Sequence, residues 1–134
     1  MRASPGVVAG TRAVIVGTGE VGRGIAARFK ALRARVDGVS AGGKSVPPFD
    51  RVYERRHLHD AVQGCDWLIL AAPLTESTFH MIGAAELAAA RGSYLINVGR
   101  GSLVDEGAVI PAIDAGHLRG AALDVFEVEP LPPR

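Results

Sequence analysis

The sequence predicts an α/β fold, a doubly wound parallel sheet of six strands in the order 3-2-1-4-5-6. Two observations predict it. Short apolar runs alternate with helix-like stretches along the 134 residues, which is typical of parallel strands joined by crossover helices. The strand candidates are also almost continuously apolar, as expected for strands that are covered on both faces.

The predicted elements follow one another without an internal repeat. Strands are expected at residues 12–17, 35–39, 51–53, 67–71, 94–98 and 120–124, and helices at residues 20–32, 58–63, 84–90 and 105–115. In the first helix Val21, Ile25 and Phe29 recur at helical spacing. Pro111 falls inside the last predicted helix, where a proline removes a backbone hydrogen bond, so we expect a kink or an early stop there.

Composition excludes several classes of function. A hydrophobic content of 48% and a net charge of +1 describe an ordinary globular domain, with no charged field for nucleic acid or a membrane surface. The single cysteine, Cys65, excludes an internal disulfide and is expected to be a small core residue. His57 and His59 are weak candidates for a metal pair. The first residues show no signal-peptide pattern, so the cytoplasm is the default compartment.

A glycine-rich turn carries the first functional motif. Residues 17–22 read Gly-Thr-Gly-Glu-Val-Gly, the pattern G-x-G-x-x-G, between a predicted strand and a predicted helix. Gly17 would permit a tight turn, Gly19 the approach of a pyrophosphate, and Gly22 close packing of helix on strand. The helix N-terminus would present free N–H groups to the phosphates. This context predicts a Rossmann dinucleotide-binding domain, and the alternative is a glycine-rich turn without a ligand.

The end of the second strand bears on the choice of nucleotide. An acidic residue that holds the ribose 2′-OH is expected there, and the position is Ser40. Asp37 falls in mid-strand and is expected to be a side-facing polar residue. Without the acid, a 2′-phosphate is no longer repelled, and Ser40 and Lys44 could bind it. The cofactor is therefore NAD or NADP with a slight preference for NADP, unless Lys44 is only a solvated loop charge.

Three longer segments extend the pattern. Residues 71–78 read Ala-Ala-Pro-Leu-Thr-Glu-Ser-Thr, residues 95–106 read Leu-Ile-Asn-Val-Gly-Arg-Gly-Ser-Leu-Val-Asp-Glu, and residues 115–132 read Ala-Gly-His-Leu-Arg-Gly-Ala-Ala-Leu-Asp-Val-Phe-Glu-Val-Glu-Pro-Leu-Pro. With the glycine turn, these segments resemble the D-isomer-specific 2-hydroxyacid dehydrogenase family in order and spacing. The last segment is similar to the glyoxylate/hydroxypyruvate reductase branch. The resemblance extends from about Thr11 to the end of the chain.

The resemblance implies a role for each matching position. Around the cofactor it places Glu20 and Val21 along the pyrophosphate, Pro73 on the adenosine side, Thr78 near a phosphate, Val98, Gly99 and Arg100 beside the nicotinamide ribose, and Asp124 at the carboxamide. Arg100 also matches the arginine that binds the carboxylate of a 2-oxoacid, for which a guanidinium fork is suited. Glu129 matches the catalytic glutamate, which raises the pKa of an acid histidine.

Without the resemblance, the same residues have plainer interpretations. Arg100 would be an exposed loop charge, Asp124 a strand-end cap, and Glu129 indistinguishable from Glu127 as a solvated charge. The family's acid histidine follows the glutamate, whereas the four histidines of this chain, His57, His59, His80 and His117, precede it.

Domain organisation follows from the same comparison of motifs. We expect a linker or disordered segment at residues 1–10, the dinucleotide-binding domain at residues 11–129 and a proline-rich tail at residues 130–134, with the family's substrate domain absent. The chain alone should then have little or no turnover on a small 2-oxoacid. Uncovered apolar surface and an open sheet edge would favour self-association. The alternatives are a non-catalytic nucleotide-binding or partner-binding module and a structural remnant that binds nothing.

Overall fold

A computed structural model describes residues 8–123 of the chain. Within these residues six parallel strands form one sheet in the order β3-β2-β1-β4-β5-β6, which confirms the predicted fold. The strands are β1 (Arg12–Val16), β2 (Arg35–Ser40), β3 (Arg51–Glu54), β4 (Trp67–Leu70), β5 (Ser93–Asn97) and β6 (Leu118–Leu123).

In the part of the chain that the structure describes, four α-helices connect these strands, and three short 3₁₀ turns lie between them. The helices are α1 (Glu20–Ala31), α2 (Leu58–Val62), α3 (Ala84–Ala89) and α4 (Val109–Asp114), and the 3₁₀ turns are Arg55–His57, Gly101–Leu103 and Glu106–Ala108. Within the described residues, none of the helices is long and apolar enough to cross a membrane.

The expectation for Pro111 was wrong. The last predicted helix is divided into a 3₁₀ turn and α4, so that Pro111 is the third residue of α4. The first amides of an α-helix have no acceptor within the helix, and a proline in this turn therefore removes no helical hydrogen bond. α4 continues past Pro111 to Asp114 without a break.

The core lies on both faces of the sheet because alternate residues of β1 point to opposite sides. Val14 and Val16 belong to the larger cluster, which packs under α2, α3 and α4. Ala13 and Ile15 belong to the smaller cluster, which packs under α1. Cys65 is fully buried in the larger cluster, which confirms its expected place in the core.

Asp37 differs from its expected state. It is completely buried in β2, where its Oδ2 accepts hydrogen bonds from Arg12 Nε at 2.8 Å and from Arg35 Nε at 3.2 Å. The sequence places Arg12 at the start of a strand 25 residues away, so the pairing becomes visible only when β1 and β2 lie side by side. Asp37 is therefore a buried carboxylate that pairs with two arginines rather than a side-facing polar residue.

Candidate nucleotide-binding site

Two glycines of the turn after β1 are required by the fold itself. Gly17 has a φ of +114°, and a Cβ there would lie 2.7 Å from the backbone of Ala71. A Cβ at Gly22 would lie 1.9 Å from the carbonyl oxygen of Gly17. A side chain at either position would push α1 away from the sheet, so these glycines set how closely the helix begins above β1.

Gly19 is different, because the fold gives no reason for a glycine there. Its φ is −78°, an ordinary value, and a Cβ built on it meets no atom within 4 Å. It is the N-cap of α1 and provides no side-chain cap. The first intrahelical bond, from Arg23 N to Gly19 O, leaves the preceding amides of the helix without helical acceptors. Open space beside free amides is the cradle that a phosphate group requires, so the residues present fit a dinucleotide.

Two adjoining cavities open at the carboxyl edge of the sheet, where β1 lies between β2 and β4 and the strand order reverses. The first, the glycine-turn cavity of about 500 Å³, brings together most of the residues predicted from sequence. It is lined by Gly17, Thr18, Gly19, Glu20, Val21, Ala71, Ala72, Pro73, Val98, Gly99 and Arg100. Gly22 lies beneath the turn, where it supports α1 rather than lining the cavity.

The turn after β5 is held by a residue that the sequence analysis missed. Asn97 is buried; its Nδ2 donates to Arg100 O at 3.1 Å and its Oδ1 accepts from Gly99 N at 3.0 Å. The amides of Val98 and Gly99 both donate to Leu70 O. These bonds fix the backbone from which the exposed Arg100 side chain borders the cavity. In the sequence, Asn97 could have been recognised as a polar residue at the end of an otherwise apolar strand.

The second cavity, the ribose-side cavity of about 330 Å³, shares the glycine turn and Pro73 with the first. Ser40 lines it and its Oγ accepts a hydrogen bond from Gly43 N at 3.0 Å. Lys44 is exposed and is not among the lining residues, whereas Arg55 is. The proposed role of Lys44 stays a prediction. Arg55 was missed, although the pairing of Ser40 with Glu54 places residue 55 at the same sheet edge.

Thr78 also lines the ribose-side cavity, and it closes the loop that follows β4. Its hydroxyl donates to Pro73 O at 2.8 Å and accepts from Thr75 N at 2.7 Å, while its own amide donates to Thr75 O. Both of its donors are therefore used within the loop. The role of Thr78 near a phosphate stays a prediction.

Several residues singled out from the sequence lie elsewhere. Asp124, Glu127 and Glu129 fall outside the described residues. His59 lies 2.8 Å from Glu86, in a pair between α2 and α3. Between residues 8 and 123 there is no group of three or more histidine, cysteine, aspartate or glutamate side chains that could hold a metal ion.

Comparison with known proteins agrees with this geometry. The family model described as D-isomer specific 2-hydroxyacid dehydrogenase, NAD binding domain, matches residues 2–134. A glyoxylate reductase from Thermococcus gammatolerans is 38% identical over 117 residues, which are 87% of this chain and 35% of that protein. The chain thus spans about a third of the length of this curated relative.

Two solved structures share the fold closely. An NADPH-dependent glyoxylate/hydroxypyruvate reductase from Sinorhizobium meliloti superposes with a TM-score of 0.87 at 31% identity, over 100% of this chain and 70% of that one. A D-isomer-specific 2-hydroxyacid dehydrogenase from Lactobacillus delbrueckii, in its NAD-complexed form, superposes with a TM-score of 0.79 at 31% identity, over 89% and 37% of the two chains. The resemblance drawn from the motifs is confirmed, and the chain belongs to the D-isomer-specific 2-hydroxyacid dehydrogenase family, whose NAD-binding domain it matches.

Proposed function

We propose that the chain binds NAD or NADP at the glycine turn and is the cofactor-binding part of an oxidoreductase for a 2-oxoacid and its D-2-hydroxyacid, of the glyoxylate or hydroxypyruvate type. One observation carries the proposal. The glycine-turn cavity joins the open backbone of Gly19 to the loop that bears Arg100. A phosphate cradle and a guanidinium that borders the same cavity suit a dinucleotide beside an acidic substrate.

Different residues of the cavity bind different parts of the nucleotide and the substrate. Gly19 and the first amides of α1 bind the pyrophosphate. Asn97 holds the loop after β5 in place, and Arg100 binds the carboxylate of the substrate beside its carbonyl. When bound, the nicotinamide supplies the hydride that reduces this carbonyl. The match of Asp124 and Glu129 to the family motif supports their roles at the carboxamide and beside an acid histidine.

We propose that this chain alone has little or no turnover. None of the residues that line the two cavities, within the part of the chain that the structure describes, is a histidine. An alkoxide that forms beside Arg100 would therefore find no histidine among these lining residues to protonate it. The alternative of a non-catalytic nucleotide-binding module is less favoured, since a pure binder needs no arginine at this position.

The choice between the two nucleotides leans to NADP. Ser40 occupies the position expected of an acid, and no carboxylate lines the ribose-side cavity within the described residues. A 2′-phosphate would therefore meet no like charge on the cavity wall. Lys44 stands four residues further along the loop and remains a candidate partner for this phosphate.

A pair of glycine substitutions in one helix region tests the proposal. Gly19→Ala adds a methyl group where the protein has open space, so the fold should persist with a slightly weaker N-cap. The same methyl group would occupy the phosphate cradle, and we expect nucleotide affinity to fall at least about tenfold, or about 1.4 kcal/mol. Isothermal titration with NADH and NADPH measures it.

Gly24→Ala is the matched control for this experiment. It adds the same group to the body of α1, where the nearest atom lies 3.7 Å away, and should leave affinity unchanged. A wild-type chain that binds neither nucleotide at millimolar concentration would exclude the proposal. Equal affinity in the wild-type and Gly19→Ala chains would place the nucleotide somewhere other than the glycine turn.

We also propose that a second copy of the chain covers the apolar side of the sheet next to β6, which is the outermost strand on that side among the described residues. Trp67, Tyr94 and Ile96 line a groove there, on the side of the smaller core cluster, and Ala122 is exposed in it. Ala122→Lys should lower the self-association constant in sedimentation, while Ile110→Lys on the opposite helical layer should not. A monomer at high concentration would contradict this proposal.

A further inference from the structure

The ribose-side cavity has a composition that suits an anion. Its wall carries one cationic side chain, Arg55, and among the described residues no carboxylate. The hydroxyl-bearing residues on the wall are Thr18, Ser40, Thr75, Ser77 and Thr78. The hydroxyl of Thr78 donates within its own loop, but the hydroxyl of Ser40 beside a single positive charge matches a phosphate group, whose oxygens accept several hydrogen bonds at once.

The charge of Arg55 is not used elsewhere in the described part of the protein. The nearest acid in sequence, Glu54, pairs with Arg56, whose Nε lies 3.3 Å from Glu54 Oε2. No ion pair links Arg55 to a carboxylate among residues 8–123. Arg55 is also partly buried, unlike the exposed Arg56 beside it, so water screens its charge less.

Topology places Arg55 beside Ser40. β2 and β3 run parallel with Ser40 opposite Glu54, so Arg55 emerges one residue past the end of this pairing, at the carboxyl edge of the sheet. Ser40 Oγ accepts from the amide of Gly43, which leaves its own proton for a group in the cavity. Lys44 lies on the exposed loop, outside the wall.

We propose that Arg55 is the residue that selects NADP, with its guanidinium binding the 2′-phosphate of the adenosine ribose next to the hydroxyl of Ser40. The inference rests on the proposed nucleotide binding and assigns its specificity to the side chain that follows β3, in place of the loop lysine. A guanidinium can give a phosphate two parallel hydrogen bonds, while a 2′-hydroxyl offers it no charge. Arg55 therefore discriminates between the two nucleotides.

The test measures dissociation constants of NADPH and NADH for three neutralised variants. Arg55→Gln should weaken NADPH about tenfold or more and change NADH less than about twofold, because only NADPH presents the extra phosphate. Arg56→Gln is the matched control, since it removes the neighbouring charge that Glu54 already pairs. Lys44→Gln tests the rival cation. Both controls should keep the preference for NADPH.

Two smaller probes isolate the phosphate from the rest of the nucleotide. 2′,5′-ADP should bind the wild-type chain more tightly than 5′-AMP, and Arg55→Gln should remove that difference. Arg55→Lys, which keeps the charge but loses the fork, should retain part of it. Melting temperatures of all variants check that the fold is intact.

The results distinguish a failure of nucleotide binding, on which the inference rests, from a failure of the role assigned to Arg55. If the wild-type chain binds neither nucleotide, the proposed function fails and the assignment of Arg55 falls with it. If both nucleotides bind and Arg55→Gln weakens them equally, Arg55 stacks on the adenine or holds the loop, and only the assignment is overturned. A selective loss in Lys44→Gln, or a wild-type chain that prefers NADH, overturns it as well.

Discussion

The two ends of the same parallel sheet use charge in opposite ways. At the amino end, Arg12 ties three elements together: its side chain bonds Asp37 in β2 and the carbonyls of Ala61 and Gln63 at the end of α2, while its amide donates to Asp66. At the carboxyl end, Arg55 and Arg100 border cavities. The arginine at the amino end therefore holds elements of the fold together, and the two arginines at the carboxyl end border a space where a ligand would lie.

The backbone shows the same contrast. β2 is held near its amino end by side chains, because Asp50 Oδ2 accepts from Val36 N at 2.8 Å and Asp37 accepts from two arginines. At the carboxyl end the turn after β1 is built from glycines, and one of them, Gly19, has open space beside it. The amino end of β2 is thus fixed by side-chain contacts, whereas the turn after β1 depends on residues that lack a side chain.

The largest effect should come from a substitution at Gly22, which supports α1 beneath the glycine turn at the carboxyl end of the sheet. Gly22→Ala places a Cβ 1.9 Å from Gly17 O, which is backbone and cannot rotate away. We expect a loss of about 3 kcal/mol in the free energy of unfolding, the upper end for overpacking, and loss of nucleotide binding. Urea denaturation measures the first quantity. Gly24→Ala in the same helix should instead stabilise by about 1 kcal/mol.

The second-largest effect should come from loss of the ion pairs that Asp37 makes at the amino end of the sheet. Asp37→Ala removes the buried carboxylate that accepts hydrogen bonds from the partly buried Arg12 and the exposed Arg35, and the loss of these charge-assisted bonds should destabilise the fold by about 2 kcal/mol. Nucleotide affinity of the folded variant should stay unchanged, since Asp37 lies away from both cavities. Glu54→Gln breaks an exposed pair and should change stability by at most about 1 kcal/mol. A large fall in nucleotide affinity in folded Asp37→Ala would show that the amino end of the sheet also contributes to binding.

The smallest effect is a pH dependence at Asp50. Burial alone raises the pKa of Asp50, but hydrogen bonds from Lys30 Nζ and Val36 N outweigh it, and the net pKa is lowered. A lowered pKa contributes stability that is present above the unfolded value and lost as the pH falls through the folded value.

Asp50→Asn should therefore be less stable than the wild-type chain by about 1 kcal/mol at pH 7, roughly the net contribution of one hydrogen bond. The difference should shrink below about pH 4, the ordinary range of an aspartate pKa. Chemical denaturation from pH 7 to pH 3 follows it, with the exposed Asp60→Asn as a control that should show a smaller difference. A difference that grows on acidification would mean that the pKa of Asp50 is raised in the folded protein.

Much of the carboxyl end of the sheet could be predicted from the sequence because the residues that form each turn there are close together in the chain. The glycines at 17, 19 and 22 lie on six consecutive residues between a strand and a helix, and the turn after β5 carries Val98, Gly99 and Arg100 in one run. The six strands could be predicted from their apolar runs, and parallel connections then limit the strand order.

What the sequence could not provide depends on register between distant segments. Asp37 meets Arg12 only because β1 and β2 are adjacent, and Arg55 reaches the cavity only because β3 pairs with β2 so that Glu54 lies opposite Ser40. Pro111 was misjudged for another reason. The first residue of a helix is poorly marked in sequence. Because α4 begins four residues later than predicted, Pro111 falls in its first turn, where a proline is tolerated.

A dinucleotide that binds at the carboxyl edge of the sheet should leave the amino edge unchanged. Amide chemical shifts of the ¹⁵N-labelled chain, followed during titration with NADPH, distinguish the two edges. We predict shifts at the amides of residues 17–22, 40 and 98–100, with none at Arg12, Asp37 or Asp66. Shifts confined to the amino edge, or no shift at saturating nucleotide, would contradict binding at the carboxyl edge.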